Sequence, residues 1–330
     1  MEPLILAIIF ISFFCTYLAV PFWIKKAHFY KLTGKDIHKN DKKEIAEGGG
    51  IVILAGTSLG ILLYIALNTF YFHSQENLIK IFAMLNVLFI GSAVGIIDDF
   101  FGWKKGLSKK LRMFIVFFSA VPLMVINAGN SSIVVPFLGS LNLGLFYPLL
   151  LIPIGVVGAT TTYNFIAGYN GLETSQGIII LSALAIVTYL TGNSWLSVIA
   201  LFMIASLLAF YIFNKYPAEV FPGDILTYSI GGMIASITIL GNIEKIAVFF
   251  FIPYIIEVGL KIRGKLEKES FAKVQKDGSL EMPYHKIYSL THISLFILKK
   301  FKSKVYEKEV VYLINAFQIF IIALGFLVFF

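Results

Sequence analysis

Ten long apolar runs constrain this chain more than any other feature. Most are near or above the roughly 18 residues that carry a helix across a hydrocarbon core of about 30 Å. They lie at about 2–24, 48–72, 80–97, 113–128, 143–161, 176–191, 194–213, 225–240, 244–260 and 310–330. In lipid each backbone amide must bond within its own segment, so helices are expected. A transmembrane barrel would alternate apolar and polar positions, and these runs do not. With 58% of residues hydrophobic and 14% charged, the chain has too little polar surface for a soluble domain of this length. The expected fold is an all-α polytopic membrane protein of about ten transmembrane helices, a single integral membrane domain over residues 1–330. The first run is too long for a cleaved signal peptide and reads as a retained span.

The loops test that assignment. An even number of spans puts both termini on one side, and the connections at about 25–47, 98–112, 162–175, 214–224 and 261–309 then share that side. They hold 25 of the 27 Lys and Arg, and only Lys80 and Lys245 fall opposite. Basic loops are retained in the cytoplasm, so the loaded face is expected to be the cytoplasmic face of the cell membrane. The same rule accounts for the net charge of +8, with contact to anionic membrane lipid. No nucleic-acid motif accompanies the charge, and no nucleic-acid partner is expected. The single cysteine, Cys15, excludes an intramolecular disulfide and a cysteine-based zinc site. The stretch 261–309 is too short for a soluble domain. It reads as an interfacial hairpin or amphipathic helix around Leu290, Ile293, Leu295 and Leu298.

Ionisable groups are costly at a membrane boundary, so clusters of them invite a functional reading. Four clusters lie on the loaded side. Asp98-Asp99 ends the third span and is followed by Lys104, Lys105, Lys109, Lys110 and Arg112. Read plainly, this is a solvated acidic helix end with a basic anchor. Read for chemistry, hard carboxylate oxygens suit Mg²⁺ while Lys and Arg suit phosphate oxygens. Asn164 and Asn170 flank Gly168 beside Glu173, a pattern for metal, phosphate or base recognition, although Asn170-Gly171 alone is an ordinary turn signal. Phe221-Pro222-Gly223-Asp224 precedes the eighth span, where Asp224 reads either as a helix cap or as part of a metal–phosphate site at a helix N-terminus. Pro283-Tyr284-His285-Lys286 is the fourth, with His292 seven residues beyond His285; isolated His and Lys in a basic loop are ordinarily solvated. Gly48-Gly49-Gly50 after Glu47 permits close helix packing or close approach of backbone to a ligand.

Together these groups place Asp, Asn, Lys, Arg and His on one face without a Ser-His-Asp or Cys-His arrangement. That combination points to Mg²⁺-assisted phosphoryl transfer at the interface, where a soluble phosphate donor meets a lipid acceptor. A transporter or flippase of lipid-linked sugars is the rival of a different class. Transporters place their binding site near the midplane, whereas Glu257 is the one ionisable residue well inside a span here.

The order and spacing of these motifs resemble those of the polyprenyl-phosphate N-acetylhexosamine-1-phosphate transferases (glycosyltransferase family 4), over residues 34 to 286. The chain looks most similar to the archaeal and eukaryotic branch, the UDP-GlcNAc–dolichyl-phosphate GlcNAc-1-phosphotransferases. The residues carrying this are Gly34-Lys35-Asp36-Ile37-His38-Lys39-Asn40 leading to Glu47, Ala167-Gly168-Tyr169-Asn170-Gly171-Leu172-Glu173, and Pro283-Tyr284-His285-Lys286. The resemblance implies transfer of GlcNAc-1-phosphate from UDP-GlcNAc to dolichyl or another polyprenyl phosphate, with release of UMP, as the first step of lipid-linked glycan assembly for N-glycosylation. A bacterial-type transferase using undecaprenyl phosphate is the runner-up. The resemblance implies Mg²⁺, or Mn²⁺ in its place, held by Asp224 and Asn164, and it leaves room for a homodimer. It places Asn170 at uracil, Glu47 with Gly48 and Gly49 at the edge of the nucleotide pocket, Glu173 among the substrate-binding residues, and His285 and Lys286 at the sugar and its phosphate. Asp98 and Asp99 match a pair assigned either as base or as metal and phosphate organisers. Two departures stand out. Arg112 occupies the place of a phosphate-binding Lys, with Lys109 and Lys110 as alternatives, and Tyr284 replaces an Arg.

Overall fold

The computed structural model describes residues 3–40, 43–101, 108–135 and 139–330. The described residues are mainly helical, as the apolar runs require. α1 (Pro3–Phe29), α2 (Gly50–Ala66) and α3 (Leu78–Phe101) are followed by the short α4 (Lys109–Ser119) and α5 (Val121–Val125). Next come α6 (Ile152–Phe165), α7 (Leu172–Leu190), α8 (Ser194–Asn214), α9 (Gly223–Gly241), α10 (Glu244–Phe250), α11 (Ile252–Arg263), α12 (Leu290–Phe301) and α13 (Glu307–Phe329). Single π-helical turns extend α2 through Leu67–Tyr71 and precede α6 over Tyr147–Leu151. Among the described residues, strands occur only as three two-stranded antiparallel hairpins: β1 (Thr33–Lys35) with β2 (Glu44–Ala46), β3 (Ser132–Val135) with β4 (Gly139–Asn142), and β5 (Lys273–Val274) with β6 (Leu280–Glu281).

Among the described residues, eight helices are long and apolar enough to cross a membrane. The expected spans at 113–128 and 244–260 are present as broken helices, α4–α5 and α10–α11. Each break is followed by a proline at the second position of the next helix, Pro122 in α5 and Pro253 in α11. Proline has no N–H to continue the preceding ladder but suits a helix start, so an apolar run that reads as continuous is interrupted there.

α9 is the axis of the bundle. Every residue from Ile225 to Gly241 is buried, and α2, α3, α6, α7 and α8 pack against it. Its Gly231, Gly232, Ala235 and Ser236 are small, which lets neighbouring backbones come close. Two glycines outside α9 are required for that approach. A Cβ on Gly50, at the start of α2, would sit 2.5 Å from the Leu226 amide nitrogen, and one on Gly95 of α3 would collide with the backbone of Asp224 and Ile225. Ser92 of α3 and Ser229 of α9 hydrogen-bond across the same contact at 2.7 Å. By contrast α1 presents Phe10, Phe14, Leu18 and Phe22 outward, as a helix facing lipid does.

Close packing of the starts of α2 and α9 has a further effect. The N–H groups of Gly49 and Gly50 donate to the carbonyls of Phe221 and Pro222, and Phe221 N–H donates to Ala46 O at 2.7 Å. The β1–β2 hairpin is thereby stitched to the start of α9, which fixes Glu47 at the mouth of the bundle. The amphipathic helix expected around residues 290–298 is α12, with Leu290 and Leu295 buried and Ser289 accepting the Thr291 N–H at its N-terminus.

Candidate active site

The ends of α1, α3, α6 and α8 and the starts of α2, α4, α7 and α9 meet at one end of the bundle. They enclose a cavity of about 1110 Å³, whose wall includes Glu47, Asp98, Asp99, Arg112, Asn164, Asn170, Glu173 and Asp224. Three of the four sequence clusters therefore share one space.

Two carboxylates are organised by α9. Asp99 accepts the backbone N–H of Asp224 through Oδ1 at 2.9 Å and that of Ile225 through Oδ2 at 3.3 Å. Those N–H groups belong to the first turn of α9 and have no partner within it, so Asp99 caps the helix from a neighbouring element. The capping reading for Asp224 is accordingly replaced. α9 has no side-chain cap of its own, and the Asp224 carboxylate faces Arg112 instead. Arg112 binds two acids, with Nε 2.7 Å from Asp98 Oδ2 and Nη1 3.6 Å from Asp224 Oδ2. Asn164, at the last turn of α6, lies within hydrogen-bonding reach of Asp224 and Tyr228. Arg112 is positioned by α4, which Ser108 starts by accepting the Leu111 N–H.

The opposite wall is braced by acids that are already engaged. Glu173 Oε1 accepts the Gly168 N–H at 2.7 Å, closing the loop that carries Asn170. Asn170 Nδ2 donates to Asp36 Oδ2 at 2.8 Å and Glu307 Oε2 at 2.9 Å, and its N–H donates to Glu307 Oε1 at 2.7 Å. His38 Nε2 accepts from Ala272 N–H at 3.2 Å, which puts the proton on Nδ1, facing Glu307 at 3.5 Å. Asp36 also accepts from His38 N–H and pairs with Lys39 at 3.0 Å. Asp36, His38 and Glu307 bring ligand atoms within 4.8 Å of one another, but these contacts already occupy them, and they act as a latch joining the β1–β2 hairpin, the Asn170 loop and α13. Sequence reasoning passed over Asp36, His38 and Glu307 as site residues. The available signal was an acid at the very start of the last apolar run.

Glu47 is half-buried against Gly34, and burial pushes its carboxyl above the usual carboxylate range. Its backbone carbonyl accepts from Trp23 Nε1 at 2.9 Å. Gly48 and Gly49 are buried under the start of α9 rather than lining the cavity, and a Cβ on Gly49 would strike Phe210 and Val220. His285 and Lys286 are exposed and outside the cavity wall, and Phe271 of the same loop lines it instead. Lys104 and Lys105, and the side chains of Lys109 and Lys110, lie outside the described residues.

A divalent ion fits one part of this wall. Asp224 and Asn164 offer hard oxygen donors, and the Asp224 side chain keeps 26% exposure, unlike Asp98 at 5%.

A helical membrane bundle with an acid- and guanidinium-walled cavity at one end defines a polytopic membrane enzyme. The chain belongs to glycosyl transferase family 4, whose signature matches residues 81–242 and so includes Asp98, Asp99, Arg112, Asn164, Asn170, Glu173 and Asp224. A protein of Saccharolobus solfataricus provisionally named UDP-N-acetylglucosamine–dolichyl-phosphate N-acetylglucosaminephosphotransferase is 37% identical over 309 residues, 93% of this chain and 92% of that protein. A protein of the same provisional name from Sulfolobus acidocaldarius is 34% identical, covering 81% of this chain and 80% of its own length. The phospho-N-acetylmuramoyl-pentapeptide-transferase of Streptococcus pyogenes serotype M5 is 30% identical, over 75% of this chain and 76% of its own.

Proposed function

We propose that this glycosyltransferase moves GlcNAc-1-phosphate from UDP-GlcNAc to dolichyl or another polyprenyl phosphate, yielding GlcNAc-diphospho-lipid and UMP, with Mg²⁺ or Mn²⁺ bound at Asp224 and Asn164. The observation that carries the reading is the Asp224 carboxylate, which does not cap α9 because Asp99 does, and which Arg112 and Asn164 bracket in one cavity. The names of the Saccharolobus and Sulfolobus relatives support the substrates. The concentration of Lys and Arg on the loops at this end supports a cytoplasmic opening in the cell membrane. The place of the reaction is the start of lipid-linked glycan assembly for N-glycosylation.

An oxygen of the acceptor phosphate attacks the sugar-side phosphorus of UDP-GlcNAc, and the bond from that phosphorus to the oxygen of UMP breaks. A phosphate monoester has a second pKa of about 6, so the acceptor is largely dianionic at neutral pH and needs no strong base. Asp98 and Asp99 are then released from that duty. Asp98 holds Arg112, and Asp99 holds the start of α9. Arg112 presents its guanidinium to phosphate oxygens, which planar paired donors match well. The ion, when bound, supplies charge neutralisation on the diphosphate. Glu47 and Asn170 border the nucleotide. Catalysis by this wall is positioning and charge stabilisation rather than covalent chemistry.

The test is transfer of radiolabel from UDP-GlcNAc to dolichyl phosphate or undecaprenyl phosphate by the purified protein, with and without Mg²⁺. Labelled dolichyl diphosphate product that depends on the metal is expected. Preference for undecaprenyl phosphate would select the bacterial-type reading, and no labelled lipid with either acceptor would refute the proposal.

A further inference from the structure

Phe271 is the part of the α11–α12 connection that reaches the cavity. Its ring fills the space a side chain at position 168 would need and lies 5.7 Å from the His38 ring. What holds it there lies outside the cavity. Lys261, in the last turn of α11 with its side chain 11% exposed, donates through Nζ to Ser270 Oγ at 2.6 Å and to Lys268 O at 3.3 Å. Ser270 Oγ reaches on to the carbonyl of Phe165 at 3.4 Å, the residue after Asn164. One turn earlier on α11, the fully buried Glu257 accepts the Leu290 N–H at 2.6 Å and the Ser289 hydroxyl at 3.1 Å, and it pairs with Lys261 at 3.8 Å. Thr291 Oγ1 closes the circuit by donating to Ser270 O at 2.6 Å.

A buried acid–ammonium pair is a poor source of net stability, because desolvating two charges offsets most of their attraction. Its geometry here has a different product. Lys261 grips the front of the connection beside Phe271, and Glu257 grips its end at the start of α12. Neither residue lines the cavity.

We propose that Glu257 and Lys261 are positioning residues that clamp the α11–α12 connection at both ends, seating Phe271 in the cavity wall beside Gly168 and so setting affinity for the nucleotide-sugar donor. The inference rests on the donor reading above. A wall residue with no charge contributes to donor and transition state alike, so loosening it raises KM and leaves kcat in place.

Lys261→Met and Ser270→Ala are expected to raise the KM for UDP-GlcNAc about fivefold, the scale of one lost hydrogen bond, with kcat within about twofold. Lys261→Arg is expected to restore the KM. As a measure independent of turnover, Phe271→Cys in a Cys15→Ser background should react faster with a maleimide when Lys261→Met is added. An unchanged KM in folded Ser270→Ala, or a kcat loss matching the loss of folded protein at constant KM, would overturn the clamp. If the parent protein transfers no label, the donor reading fails by itself. Maleimide reactivity then still decides whether the pair seats Phe271, and equal rates with and without Lys261→Met would overturn that.

Discussion

Asp99 Oδ1 accepts the backbone N–H of Asp224 at 2.9 Å, so the end of α3 caps the helix that carries the other acid. The two residues are 125 positions apart and face the same end of the bundle. A site assembled from both therefore exists only when α3 and α9 are seated against each other, which is what Gly95 permits.

Removing the cap should cost stability and activity together. Asp99→Ala strips the acceptors from two first-turn N–H groups and is expected to lower stability by about 1–2 kcal/mol, the range for a lost cap. Transfer should fall further than stability, because Asp224 is no longer held. Thermal unfolding in detergent alongside initial rates will show both, and a variant with native melting and full rate would contradict the cap.

Arg112 is expected to resist replacement by Lys. Lys keeps the charge but cannot serve Asp98 and Asp224 with a rigid fork. Arg112→Lys should therefore lose about tenfold in kcat/KM, and Arg112→Ala more, since Asp98 and Asp224 would then face each other unneutralised. Equal rates for Arg and Lys would mean that charge alone matters.

Metal dependence can be localised. EDTA should abolish transfer and excess Mg²⁺ restore it. Asp224→Ala should remain inactive at any Mg²⁺ concentration while still folding, whereas Asn164→Ala should shift half-saturation by Mg²⁺ upward about tenfold or more. A fully active Asp224→Ala variant would sink the metal assignment.

Acid should loosen the α12 region through His292. This imidazole is buried, and its Nδ1 accepts the Tyr288 N–H at 3.2 Å, which requires the neutral ring. Burial, and then the Lys261 charge, push its pKa down from 6.5 to about 4. The unfolded chain thus binds the proton first as pH falls. The stability His292 contributes is complete above about 6.5 and is lost between 6.5 and 4, at no more than about 1.4 kcal/mol per pH unit. The raised carboxyl of Glu47 acts with the opposite sign, so the useful quantity is the difference between parent and His292→Asn across pH 4–7, where the common contribution cancels. A difference that does not change with pH would exclude the effect.

Much of this site was legible in the loops because lipid makes charge expensive. Asp98-Asp99, Asn164 to Glu173, and Asp224 were each anomalous enough to mark, and they line one cavity. The details of their pairing were not legible. Whether Asp224 caps α9 or is capped by Asp99 depends on how α3 approaches α9, which no local pattern encodes. The Asn170–Glu307 contact joins residues 137 positions apart, and the latch through Asp36 and His38 exists only after α13 docks. His285 and Lys286 show the reverse. Their motif stood out, yet the connection turns Phe271, an ordinary aromatic by sequence, toward the cavity. Prolines at 122 and 253 sit within apolar stretches that hydropathy reads as unbroken, and only the backbone reveals the helix breaks.

The enclosure of α9 has a mechanical consequence. Because protein rather than lipid surrounds it from Ile225 to Gly241, thinning, thickening or stiffening of the surrounding bilayer strains the peripheral helices first. Asp224 is thereby shielded from the elasticity of its own host medium, and rates should vary little among lipids that differ only in chain length.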